Sequence, residues 1–116
     1  LVLEGVAEWE SIDEIMEQNR GSANVIGLNL DGVEETIALL KGACLLVSND
    51  TGIRNLGIAA EIPTLGIFFA THPFKTTPFR YLPSNSQHDL VFNHDGSIPT
   101  VDQVSAATQT LMQRLV

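Results

Sequence analysis

The residues of this sequence best suited to chemistry stand together at Ser48-Asn49-Asp50-Thr51-Gly52. Short hydroxyl, amide and carboxylate side chains can hydrogen-bond their own backbone, and Gly52 permits dihedrals that other residues avoid, so the string reads as a turn. Upstream, Cys44-Leu45-Leu46-Val47 is an apolar run with a β-branched residue, the pattern of a buried strand. Downstream, Ile53, Leu56, Ile58, Ala59 and Ala60 supply a helical apolar face, and Pro63 ends that run before a second apolar strand that reaches Phe69. The turn therefore opens a helix. The first amides of a helix are unpaired and carry the positive end of its dipole, so Thr51 and Gly52 can hold a phosphate or another anion there. Two roles stand open for Asp50. It caps the free amides together with Thr51, or its carboxylate bonds a sugar hydroxyl or an ammonium group beside the anion. Capping alone suffices to explain the spacing, because strand-Asp-Thr-Gly-helix is a weak signal beside a true phosphate loop.

Composition bounds what such a turn serves. A chain of 116 residues is one domain's worth, and with 44% hydrophobic and 17% charged residues it has the material for a core. The formal net charge of −8, with only six Lys and Arg, argues against a nucleic-acid or anionic-membrane surface, since phosphate backbones are bound mainly by those two residues. A small anion held by backbone amides stays compatible with that charge. The single cysteine, Cys44, excludes an internal disulfide and a Cys-based zinc cluster, and its place in an apolar run predicts an inert core thiol. His72, His88 and His94 fall in expected loops with no carboxylate or Cys at metal spacing, which predicts surface histidines and no metal. Ser48, Ser84 and Ser86 lack the Gly-x-Ser-x-Gly elbow of a hydrolase. The absence of a phosphate-loop lysine and of Gly-x-Gly-x-x-Gly disfavours a nucleoside triphosphatase or a dinucleotide enzyme. No apolar run approaches the roughly 20 residues of a transmembrane helix, and no basic-then-apolar leader is present, so a soluble cytoplasmic protein is expected.

The elements that position the turn follow from periodicity. Leu1 to Val6 reads as a strand, and the chain starts as if inside a domain. Ser11 caps a helix with Glu14 completing a capping box, Ile12, Ile15 and Met16 form its stripe, and Asn19-Arg20-Gly21 stops it. Asn24 to Leu30 is a strand, Asp31-Gly32 a turn, and Val33 to Lys41 a helix with Val33, Ile37 and Leu40 at helical spacing. Beyond Phe69, Ala70 to Asn85 is a proline-punctuated loop of a length that in compact domains is usually functional or mobile. Asp89 to Phe92 is a short strand, and Thr100 caps a last helix whose expected apolar face is Val101, Val104, Ala107, Leu111 and Leu115. Trp9 reads as a packing residue, and Glu8, Glu10, Asp13, Glu14 and Glu17 as a solvated face. Strands and helices alternate throughout, the signature of an α/β domain with a mostly parallel sheet between two helical layers. Ligands of such sheets bind outside the carboxyl ends of the strands, where the Asp50 turn and the Ala70 to Asn85 loop both emerge.

The string from Leu46 to Thr64, with Asp50-Thr51-Gly52-Ile53-Arg54-Asn55-Leu56-Gly57-Ile58-Ala59-Ala60 at its centre, resembles the signature of the lipopolysaccharide heptosyltransferases, glycosyltransferase family 9. That signature runs Asp-Ser/Thr-Gly-Pro-x-His-Leu-Ala-Ala-Ala, then a Pro and a strand ending near Phe-Gly-Pro-Thr-Asp-Pro. The flanking elements agree in order, so the resemblance covers nearly the whole chain. It implies the donor-binding, C-terminal Rossmann-like domain of a two-domain GT-B enzyme, with residues 1–116 as a single domain fragment. It also implies a nucleotide-sugar such as ADP-heptose as substrate, and no metal or other cofactor. Donor phosphate and sugar would meet Asp50, Thr51 and Gly52. The family's His falls at Asn55, which can donate a hydrogen bond to a phosphate oxygen but carries no imidazolium charge. Ile53 stands for the family's Pro, and Phe69-Ala70-Thr71-His72-Pro73 for its Gly-Pro-Thr-Asp-Pro, which makes Thr71 and His72 a candidate donor loop. Glu8 or Glu10 is the candidate for the donor ribose.

The same resemblance assigns the general base to an acceptor-binding domain not contained in these residues, so no catalytic residue is named. It also sets Leu1 at the family's second strand of this domain. In the usual order the first strand lies between the Leu1 and Cys44 strands. Direct pairing, a strand from a second chain, or a proteolysed remnant are the three expectations for that position. The fragment alone is expected to be inactive and its parent a glycosyltransferase of lipopolysaccharide or related glycan synthesis, meeting its acceptor at the inner face of the membrane. The alternative is a non-catalytic binding or assembly module with a decayed donor site. A flavodoxin-like receiver is weaker, since it needs clustered acids and a basic partner beside Asp50.

Overall fold

A computed structural model describes residues 1–5, 12–30, 32–49, 52–69 and 87–115. The chain divides into two compact units, Leu1–Thr36 and Ile37–Val116, and each holds a parallel sheet. In the first unit β1 (Val2–Gly5) pairs with β2 (Gly27–Leu30) in the register Val2↔Gly27 through Gly5↔Leu30. Parallel neighbours need a crossover, and α1 (Asp13–Gln18) lies within it. The strand begins three residues later than the apolar pattern from Asn24 suggests, because residues 23 and 24 are spent in a turn.

The N-terminus of α1 differs from the expected capping box. Ile12 occupies the cap position and no side chain bonds the free amides; Asp13 and Glu14 instead place two carboxylates in the first turn, where they complement the helix dipole. Ser11 lies outside the described residues. Of the expected stripe, Ile12 and Met16 are half-buried and Ile15 is exposed. Helix α2 (Val33–Lys41) starts in the first unit, where the Thr36 hydroxyl donates to the Gly32 carbonyl at 2.8 Å, and ends in the second, where Leu40 is buried. Val33, by contrast, is exposed.

The second unit orders β3 (Leu46–Asn49), β4 (Thr64–Phe68) and β5 (His88–Phe92) side by side, all parallel. Helices α3 (Gly52–Ala59) and α4 (Val101–Leu115) cover its two faces. Successive strand side chains alternate between faces, and β4, hydrogen-bonded on both edges, shows what each face holds. Leu65 joins Val91 and Leu111 under Val104 and Ala107 of α4, whereas Thr64, Gly66 and Phe68 lie on the α3 face. There Leu40, Leu46 and Ile62 pack with Ile53 and Leu56. The result is the expected α/β three-layer arrangement.

Close approach of α3 to the sheet depends on Gly57, where a Cβ would stand 2.7 Å from Leu46 Cδ2 and 3.1 Å from Thr64 Cγ2. Helix α4 begins as the sequence predicts. The Gln103 amide donates to the Thr100 hydroxyl at 3.2 Å and the Thr100 amide to Gln103 Oε1 at 2.9 Å, a reciprocal cap. Its apolar face is shorter than predicted, because Val104, Ala107 and Leu111 pack while Val101 is 81% and Leu115 40% exposed. Cys44 also departs from expectation. The β3 ladder starts at Leu46, so Cys44 lies outside the strand and is exposed rather than a core thiol.

Candidate functional site

β3 ends at Asn49 and α3 begins at Gly52, so the first turn of α3 opens at the carboxyl edge of the second unit's sheet. Gly52 and Asn55 are both exposed there, and being three residues apart they share one side of the helix. The first turn of α3 contains no acidic residue, which leaves its amides facing outward without a carboxylate from the helix itself. Asp50 and Thr51, together with Thr71, His72, Glu8 and Glu10, lie outside the described residues. Of the residues chosen from the sequence, the structure therefore brings Gly52 and Asn55 together.

The opposite side of the same turn carries a residue that the sequence reading did not single out. Arg54 is 1% exposed. Its side chain lies across Gly66 of β4, where a Cβ would collide with Arg54 Nε and stand 2.9 Å from its Cδ; only a glycine leaves this passage. The guanidinium carbon then sits 5.0 Å from the ring centroid of Phe68, the last residue of β4, within cation–π range. A sequence signal for this burial exists. Arg54 stands three and four residues before Gly57 and Ile58, both buried, and so on the packed face of α3.

His88 corrects another expectation. It is not a surface loop residue but the first residue of β5, 2% exposed, with Nδ1 2.9 Å from the Thr64 hydroxyl across the Thr64↔His88 register pair. Burial, reinforced by the Arg54 charge, holds the His88 imidazole below its ordinary pKa, which favours the neutral ring. The two-residue period of His88, Leu90 and Phe92 is the signal that extends the strand to His88. His94 matches the surface prediction and meets the Phe92 ring edge-on at 5.3 Å.

The loop after β5 emerges at the same sheet edge but satisfies itself. Asn93 exchanges hydrogen bonds with Gln103 and donates to Ser97, and Asp95 accepts from both the amide and the hydroxyl of Ser97, bonds that hold its carboxyl below the usual range. On the α4 face Arg114 pairs with Asp89 at 3.4 Å. Among the described residues no group of three His, Cys, Asp or Glu could hold a metal ion, and no helix is long and apolar enough to cross a membrane.

The family model of glycosyltransferase family 9 (heptosyltransferase) matches residues 4–110, which takes in every element from β1 into α4. The chain belongs to that family. Within this family-9 chain, the stretch linking β3, the first turn of α3 and β4 is the part that the resemblance identified as most specific, and the match runs through it. Comparisons with curated proteins and with solved structures returned no match.

Proposed function

We propose that this family-9 domain binds the nucleotide-sugar donor of a glycosyltransferase, an ADP-heptose-like molecule used in lipopolysaccharide or related glycan synthesis. Family membership supports sugar transfer, and the observation that carries the donor assignment is the first turn of α3. It opens at the carboxyl edge of a parallel sheet, exposed at Gly52 and Asn55 and free of acidic residues of its own. Parallel α/β sheets place ligands at that edge, and helix starts favour anions.

In the reaction an acceptor hydroxyl attacks the anomeric carbon, the bond from that carbon to the donor's phosphate oxygen breaks, and a nucleoside diphosphate leaves. The charge that grows on the leaving diphosphate meets amides already oriented at the helix start, which stabilises the transition state without reorganisation. Thr51 and Gly52 hold the diphosphate, Asp50 takes a sugar hydroxyl or caps the turn, and Asn55 donates a hydrogen bond to a phosphate oxygen. Thr71 and His72 form the donor loop, and Glu8 or Glu10 meets the ribose. No metal takes part. By the same resemblance the general base belongs to an acceptor-binding domain. The work is done in the cytoplasm, with the acceptor at the inner face of the membrane.

A second reading, a non-catalytic module that has lost its donor, is favoured by Asn55 standing where the family signature has His. Calorimetric titration with ADP-, UDP- and GDP-sugars separates the two. Saturable binding of one nucleotide-sugar, with the free sugar and free nucleoside weaker, supports the donor site, and no binding of any supports the module.

A further inference from the structure

We infer that Asp95-Gly96 is a latent site of isoaspartate formation and that the Ser97 hydroxyl guards it, keeping the chain between β5 and α4 in its ordinary peptide linkage. The sequence holds two Asp-Gly pairs, Asp31-Gly32 and Asp95-Gly96, and Asp31 lies outside the described residues. Glycine has no Cβ to hinder the approach of its nitrogen to the side chain before it, so an exposed Asp-Gly is open to attack by its own backbone. Asp95 and Gly96 are both exposed, and Gly96 adopts φ +80°.

The reaction needs no reagent but water. The Gly96 nitrogen attacks Cγ of Asp95, the new N–Cγ bond closes a five-membered succinimide, and the amide proton leaves with the carboxyl hydroxyl as water. Water then opens the ring. Addition at Cγ restores aspartate. Addition at the Asp95 backbone carbonyl breaks its bond to the Gly96 nitrogen and leaves isoaspartate, equal in mass and one carbon longer in its backbone.

The fold opposes ring closure at both reacting atoms. Closure expels a carboxyl hydroxyl and so proceeds from the protonated acid, whereas the Ser97 hydroxyl and amide donate to Asp95 Oδ1 at 2.6 Å and 2.9 Å and favour the carboxylate. Of the two bonds, the hydroxyl's does more to hold the carboxyl below its usual range. The nucleophile is engaged as well, because the Gly96 amide donates to the Asn93 carbonyl at 2.9 Å. Asn93 is fastened in turn to Ser97 and Gln103. An added backbone carbon would fall between Asn93 and Thr100, the two points at which Gln103 ties the loop after β5 to the start of α4.

The test incubates the folded chain at neutral pH and follows isoaspartate at position 95 by peptide mapping with electron-transfer fragmentation, which distinguishes the two linkages. Ser97→Ala is expected to accumulate it about threefold or more faster than the parent, and Ser97→Thr, which keeps the hydroxyl, to match the parent. Circular dichroism establishes that each variant is folded. A folded Ser97→Ala that isomerises no faster than the parent overturns the inference, and so does Ser97→Thr reacting as fast as Ser97→Ala. Should Ser97→Ala fail to fold, the parent in buffer against the parent unfolded in urea decides: a faster reaction in urea supports the guard, and equal rates overturn it.

Discussion

The Thr64 hydroxyl and Nδ1 of His88 lie 2.9 Å apart on adjacent parallel strands, and both residues are buried. A neutral imidazole suits this position, since a protonated one would have to be charged out of water and beside the Arg54 guanidinium. The unfolded chain protonates His88 near its ordinary value of 6.5, the folded chain only at lower pH. Between those two values the unfolded state binds more protons, so stability rises with pH up to about 6.5 and is lost as pH falls below it. Urea denaturation from pH 8 to pH 5 is expected to show that acid limb, and His88→Gln to flatten it. Thr64→Val, which removes the hydroxyl partner, is expected to cost about 1–3 kcal/mol at pH 7.5.

Two glycines on the α3 face leave no room for an added methyl group, but at different cost. Gly66→Ala drives a Cβ into Arg54 Nε and to 2.8 Å from Phe68 Cε1, and overpacking of this kind costs about 1–3 kcal/mol. Gly57→Ala meets Leu46 Cδ2 at 2.7 Å, but removing a glycine from a helix interior offsets about 0.5–1 kcal/mol of that cost. Chemical denaturation should therefore rank Gly66→Ala as the more damaging, and the reverse order would place Arg54 elsewhere.

The cap of α4 offers a local test. Thr100→Ala removes the hydroxyl that accepts from the Gln103 amide and should cost about 1 kcal/mol. Gln103→Ala should cost more than a surface substitution, because its side chain serves both the Thr100 amide and Asn93. Denaturation midpoints at constant m-value report both.

Helix α4 also discriminates between two apolar residues that the sequence treats alike. Leu111 is 0% exposed between Leu65 and Val91, and Leu111→Ala is expected to cost about 2–5 kcal/mol. Val101 is 81% exposed, and Val101→Ala should change stability by less than about 0.5 kcal/mol.

The order of the elements and the parallel arrangement were legible in the sequence, because periodicity and turn residues are local signals. The start of α3 after a strand was legible for the same reason. Arg54 was not, since its burial depends on a side chain that another strand lacks, Gly66 on β4. His88 was missed at a strand boundary, where one residue decides between loop and ladder. Val101 and Leu115 were placed in the core by spacing alone. A helix of 15 residues at about 1.5 Å each outreaches a strand of five at about 3.3 Å each, so its ends overhang the sheet. Of the candidate site, Gly52 and Asn55 stand where the sequence set them, at the opening of α3.

The central claim is that the start of α3 holds the donor's diphosphate, and backbone amide shifts during a titration with ADP-glucose, UDP-glucose and GDP-mannose test it most directly. The account predicts saturable shifts at Gly52 through Asn55 for one of the three, abolished by Thr51→Pro, which removes an amide from the turn, and absent with the free sugar. Saturable shifts confined to other parts of the chain, or none in the folded protein with any of the three, would contradict it.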